Sequence, residues 1–114
     1  MNEILNATKL LLGIPLEVTD FDSQLVIHIN SALASLSQIG VGSTPYQITL
    51  ETGSFDAFLP SDDYIHGMAQ MYIYTKVRLL FDPPSHAFVI TALEAQAKEL
   101  EWRLSDFSYV EPVV

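Results

Sequence analysis

Three histidines and fourteen acidic residues are the side chains here best equipped for acid–base or metal chemistry. A zinc site gathers about four ligands on one point, and histidines serving it are often paired one helical turn apart. His28, His66 and His86 fall on separate elements with no His-x-x-x-His spacing. Each has a plainer role: His28 borders a core stripe, His66 can pair with Asp62 one turn earlier, and His86 lies in the first turn after Pro83-Pro84. Asp20-x-Asp22-x-Gln24 opens like a calcium loop, but Leu25 stands where the turn glycine belongs and Ser31 where the bidentate glutamate belongs. That pattern fails. With no cysteine there is no thiolate ligand, no thiol nucleophile and no disulfide framework. The five glycines are dispersed, so no phosphate-cradling loop forms, and no Gly-x-Ser-x-Gly turn is present. Asp62-Asp63 and Glu99-x-Glu101 are explained by a helix start and a solvated face. The sequence therefore assigns no catalytic, cofactor-binding or metal-binding residue, and the chain reads as a non-enzyme.

Charge narrows the partners. Five basic residues against fourteen acidic ones give a formal charge of -9, which argues against grasping phosphates. A negative wall instead repels DNA and keeps it from sticking. The same charge also serves simple solubility. No run approaches the roughly 20 apolar residues of a membrane span, and the start, Met1-Asn2-Glu3, lacks a basic leader, so the expectation is a soluble, unsecreted product.

The elements that would position any site are helical. At 114 residues, 49% of them apolar, the chain is the size of one domain. Asn2 can cap a first helix with Ile4, Leu5, Leu11 and Leu12 on one face, closed by Gly13 and Pro15. Asp20 or Asp22 can cap a second, running to Ile39 and ended by Gly40, with Leu25, Ile29, Ala32, Leu36 and Ile39 inward. Its opposite side presents Ile27, Ser31 and Ala34, a strip able to accept a neighbouring subunit or simply to meet water. Tyr46, Ile48 and Leu50 alternate with Gln47 and Thr49, the period of a short strand. One strand among helices must pair with another chain, pair with a second extended segment, or remain an extended loop. Ser54 to Leu59 can add a helical turn.

A third helix, started by Ser61-Asp62-Asp63, is apolar around much of its circumference from Tyr64 to Phe81, the mark of a central helix. Ile65, Ala69, Tyr72, Ile73, Lys76, Val77 and Leu80 define its core face, with Lys76 at the edge laying its methylenes on the core. Pro83 ends it at Asp82. A fourth helix from Pro84 or Ser85 to Leu104 carries Val89, Leu93, Ala97, Leu100 and Leu104 at helical spacing, with Phe88, Ile90 and Trp102 as further apolar positions. Glu94–Lys98 and Glu99–Arg103 are favourably ordered i,i+4 pairs. The expected fold is mostly α: a compact bundle of four helices with a long helix–Pro-Pro–helix hairpin, a short extended segment near 46–50 and an extended C-terminal tail. Residues 1–104 form the domain and 105–114 the tail. Phe107, Tyr109, Val110, Val113 and Val114 make that tail more apolar than a solvated end should be, so it either orders on a partner or folds back.

The hairpin also carries a resemblance. Tyr72-Ile73-Tyr74-Thr75-Lys76-Val77-Arg78-Leu79-Leu80-Phe81-Asp82-Pro83-Pro84, followed by Leu93-Glu94 and by Lys98 to Leu104, resembles the small head–tail connector proteins of long-tailed bacteriophages and prophages. The opening Thr8 to Ile14 and the close of the second helix, Ile39-Gly40-Val41-Gly42, fit the same pattern. The resemblance implies a helical adaptor, made in the host bacterial cytoplasm and located at the head–tail interface of the virion. It implies a homo-oligomeric ring, commonly twelvefold, beneath the portal protein, extending the DNA channel without sequence-specific binding and receiving a stopper or tail-completion protein. No cofactor and no membrane partner are implied. On that reading Tyr46, Ile48 and Leu50, with Ile27, Ser31 and Ala34, are candidate subunit or partner contacts, and Phe107 to Val114 a candidate portal-docking segment. The alternative is an acidic regulator or DNA mimic that covers a basic partner surface.

Overall fold

The computed structural model describes residues 2–42, 46–59 and 63–108, with Asp63, Phe107 and Ser108 described by their backbone alone. Five helices follow in order: α1 (Glu3–Leu12), α2 (Asp22–Gln38), α3 (Phe55–Phe58), α4 (Asp63–Phe81) and α5 (Ala87–Ser108). The bundle expected from the sequence is present, with the turn at 54–59 realised as α3. No β-strand forms among the described residues; Asn2 and Gly53 make one isolated parallel bridge.

The helix ends follow local chemistry. Asn2 caps α1, its Oδ1 accepting from the Leu5 amide. At the other end Gly13 adopts φ +80°, its N–H donates to Leu10 O, and the Ile14 N–H donates to Lys9 O. Gly40 closes α2 in the same way at φ +86°, with Val41 N–H donating to Leu36 O and the Val41 side chain buried. Both are left-handed closures that an L side chain resists. The start of α2 departs from expectation. Phe21 occupies the cap position with no side-chain hydrogen bond, so neither Asp20 nor Asp22 serves as cap. Asp22 is engaged elsewhere, with its Oδ1 2.9 Å from the Lys9 ammonium.

Lys9 is only 2% exposed. Its Nζ also donates to Leu16 O at 3.1 Å and Val18 O at 2.6 Å. Two carbonyl acceptors and the Asp22 carboxylate thus surround the ammonium, which offsets the cost of burying the charge, although Asp22 Oδ1 itself accepts no hydrogen bond. One side chain ties the end of α1, the connecting loop and the first residue of α2 into a single corner.

The core gathers around α4, which packs against α1, α2 and α5. Ile65, Ala69, Tyr72, Ile73 and Val77 are buried as expected, facing Leu25, Ile29, Ala32, Leu33 and Leu36 of α2. Three apolar positions assigned to core stripes lie further out: Leu11 at the end of α1, Ile39 at the end of α2 and Leu80 at the end of α4 are all exposed. Each sits in the last turn of its helix or beyond it, where the neighbouring element has already turned away. Phe81 closes the body from the α4 end, its ring edge-on to Phe21 at 5.5 Å and to His28 at 6.5 Å. That contact sets the end of α4 beside the start of α2, so the two run antiparallel.

The hairpin partner α5 begins at Ala87, two residues later than Ser85, with His86 O accepting from the Val89 and Ile90 amides. It continues four residues past Leu104. Helical hydrogen bonding needs no apolar period, so the loss of that period after Leu104 does not mark the helix end. Only Ala97 and Leu104 of α5 are fully buried among its described side chains. Glu99 and Arg103 pair at 2.7 Å with both side chains more than half exposed, a geometry worth little in water; Glu94 and Lys98 do not close to an ion pair.

Candidate functional site

The residues with chemical potential do not converge. His28 leans on Phe81. His66 stacks on Phe55, with Nε2 2.7 Å from Leu59 O; Asp62, its expected partner, lies outside the described residues. His86 is exposed at the hairpin turn. Among the described residues no three His, Asp or Glu side chains are placed to hold a metal ion. Tyr72 is the one strongly perturbed group among them. Burial first, then the Glu101 carboxylate, pushes its phenol well above the ordinary value. Its hydroxyl donates to Glu101 Oε1 at 3.3 Å, so the pair joins α4 to α5 as a neutral donor and its acceptor. That is a structural contact.

Alternating side chains make residues 46–50 look like a strand, yet the backbone of Ile48 and Thr49 is satisfied from within the chain. Asn30 of α2 reaches across and acts as a one-residue partner strand: the Ile48 N–H donates to Asn30 Oδ1 at 2.8 Å and Asn30 Nδ2 donates to Ile48 O at 3.1 Å. Asn2 Nδ2 donates to Thr49 O at 2.7 Å, and the Thr49 N–H donates to Thr52 O. The Glu3 N–H donates to Gly53 O, and Glu3 Oε1 accepts from the Phe55 amide. Gly53 is required by space: a Cβ there would lie 2.6 Å from Asn2 Oδ1 and 2.8 Å from Ile48 Cγ2. The segment is therefore an extended loop clamped to α1 and α2 through Ile48 and Thr49.

This changes the candidate contacts at 46–50. Ile48 is 3% exposed and belongs to the core, so its side chain cannot meet a partner here. Tyr46 is half-buried, tilted against Phe58, its hydroxyl accepting from the Ser54 amide. Leu50 remains open to solvent. The α2 strip is where the sequence places it: Ile27, Ser31 and Ala34 are all exposed on the side away from α4. Beside it lies a groove of about 220 Å³ between α2 and the extended segment, lined by Asn30, Ala34, Ser37, Gln38, Tyr46 and Gln47. Of the apolar tail, Phe107 lies in α5 with its side chain undescribed, and Tyr109, Val110, Val113 and Val114 lie outside the described residues.

A second outward face is one that the sequence reading does not find. Phe88, Ala95 and Trp102 recur every seven residues on α5, nearly two helical turns, and all are exposed, Phe88 at 84% and Trp102 at 70%. They point away from the face that carries Ala97 and Leu104. The available signal is the seven-residue spacing of two aromatics set opposite the core stripe; grouping them with Ile90 as further apolar positions leaves their side of the helix unassigned.

The described residues thus present two outward faces, and no cluster of three potential metal ligands among them. A family model for the phage connector protein matches residues 4–108. No curated protein and no solved structure matches the chain.

Proposed function

The chain belongs to the phage connector family, and from that premise we propose that it forms a ring beneath the portal, prolongs the DNA channel and docks the stopper or tail-completion protein. The family is structural, and its members are components of the virion. The observation that carries the proposal is the extent of the match, which runs from α1 to the end of α5 and so takes in every described helix.

Several features support it. The outward α2 strip of Ile27, Ser31 and Ala34 is a subunit contact on this reading, with Leu50 at its margin. The tail, with Phe107, Tyr109, Val110, Val113 and Val114, docks on the portal. The formal charge of -9 suits a passage through which a polyanion slides. No described helix is long and apolar enough to cross a membrane.

The test is a phage in which this gene is disrupted. Heads that package DNA but fail to join tails are the expected product, restored when the chain is supplied in trans. Normal tailed particles without the chain would overturn the reading.

A further inference from the structure

Four helix ends meet at one pole of the bundle. The Lys9–Asp22 pair joins the end of α1 to the start of α2. The Phe21–Phe81 contact sets the end of α4 beside that start, and the hairpin brings the start of α5 to the same place. Here the core runs out to the surface. Leu10, Leu11, Leu16, Phe21 and Leu80 are five of the eleven exposed large apolar side chains among the described residues. Leu11 and Leu80 hold core-stripe positions of their helices and are nonetheless open to solvent. The loop between α1 and α2 is pinned while it displays its share. The carbonyls of Leu16 and Val18 both accept from the buried Lys9 ammonium, yet no residue from Gly13 to Phe21 is buried. A fixed backbone that offers Leu16 and Phe21 outward lowers the ordering cost of a contact.

The rim of this apolar ground is acidic. Of the Lys, Arg, Asp and Glu side chains in 9–22 and 78–90, the exposed ones are Glu17, Asp20 and Asp82. Lys9 is buried against Asp22, and Arg78 is half-buried with its guanidinium donating to the Tyr74 hydroxyl. That rim selects the occupant. A polyanion or an anionic surface is repelled. A second copy has no basic patch to offer: the exposed cations of this chain are Lys98 and Arg103, both on the far half of α5, and Arg103 is already paired with Glu99. What fits is a different protein, presenting apolar side chains ringed by Lys and Arg.

We propose that this pole docks such a partner, and that the partner is the protein on the tail side of the ring. The orientation rests on the ring reading above, in which the C-terminal segment docks on the portal. Ser105 Oγ donates to Ile39 O at 3.4 Å, which sets the end of α5 beside the end of α2. Since α2 and α5 both start at the acidic-rimmed pole, the C-terminal segment leaves from the opposite one. The 22 residues of α5 hold the two poles about 33 Å apart at the α-helical rise. A chain tied to the portal at one pole presents the other to the tail-completion protein.

Full-length variants test the pole with purified portal rings and tail-completion protein. Glu17→Lys/Asp20→Lys/Asp82→Lys reverses the rim, and Leu16→Ser/Leu80→Ser removes part of the apolar ground. All five positions are exposed, so circular dichroism and the denaturant midpoint should stay near those of the wild type. Both variants are expected to join portal rings normally. The charge reversal should slow association of the tail-completion protein at least about tenfold at low salt and remove its salt dependence. The serine pair should weaken that complex at least about tenfold, chiefly through faster dissociation. Wild-type binding of the tail-completion protein by either variant would overturn this docking surface and leave the ring reading standing. Loss of portal binding by the variants would overturn the orientation. A wild-type chain that joins neither portal nor tail-completion protein would overturn the ring reading and this pole together.

Discussion

The body formed by α1, α2, α4 and the 46–59 segment differs sharply from α5, although both are rich in apolar residues. In the body, even polar side chains are drawn inside and engaged: Lys9 donates to two loop carbonyls and pairs with Asp22, Asn30 serves both sides of Ile48, and Thr75 is buried with its hydroxyl donating to Met71 O. In α5, which packs chiefly on α4, only Ala97 and Leu104 among the described side chains are fully buried, while Phe88 and Trp102 stand in solvent. Apolar content alone does not place a residue in a core; the number of neighbours does. A helix with few neighbours and aromatics on its far side presents the kind of exposed apolar surface that interaction sites use.

The contrast can be broken most forcefully at the corner. Lys9→Met removes the ammonium and leaves Asp22 and two loop carbonyls without their donor. Loss of one partner from a buried ion pair costs about 3–5 kcal/mol, read as a lowered denaturant midpoint. A change below about 1 kcal/mol, the scale of an exposed pair, would show that the corner is wet. Gly53→Ala forces a methyl against Asn2 Oδ1 and Ile48; an overpacked site of this kind loses about 1–3 kcal/mol. Retention of full stability there would mean that the extended segment is loosely held.

Smaller effects sharpen the boundary between body and α5. The Tyr72 phenol is raised above its usual value in the folded chain. Above about pH 10 the unfolded chain releases this proton and the folded chain keeps it, so Tyr72 makes stability fall as pH rises past that point. Tyr72→Phe should flatten that fall at a cost of about 1 kcal/mol near neutrality; an unchanged alkaline slope would mean that Tyr72 titrates freely. Phe88→Ala sits at the bottom of the scale. With the ring exposed, unfolding should shift by less than about 0.5 kcal/mol, and a larger loss would place Phe88 in the fold itself.

How much of this is legible in the sequence depends on whether the information is local. The ends of α1 and α2 are readable because Gly13 and Gly40 act within one turn, and the end of α4 because Pro83 restricts the residue before it. The buried stripe of α4 is readable from its period. Ile48 looks like half of a strand edge because alternation records side-chain direction and says nothing of what satisfies the backbone. Its partner, Asn30, is eighteen positions away on another element. Lys9 looks like an ordinary helix lysine, and Asp22 like a cap, since their pairing depends on how the loop between them folds. Phe88 and Trp102 register in a sequence reading only as further apolar positions, because composition shows that a residue is apolar, whereas exposure depends on where the chain stops supplying neighbours. The outward strip of Ile27, Ser31 and Ala34 is legible for the converse reason: the core stripe of α2 is complete without it.

Trp102, the one tryptophan, makes its own probe of whether the outer face of α5 exists for assembly. Its fluorescence should be followed as the full-length chain is concentrated or added to portal rings, with mass recorded in parallel. Emission characteristic of an exposed indole is expected from the isolated chain, moving to shorter wavelength in step with the rise in mass. Emission that stays that of an exposed indole while the mass rises would show that the chain assembles through other surfaces.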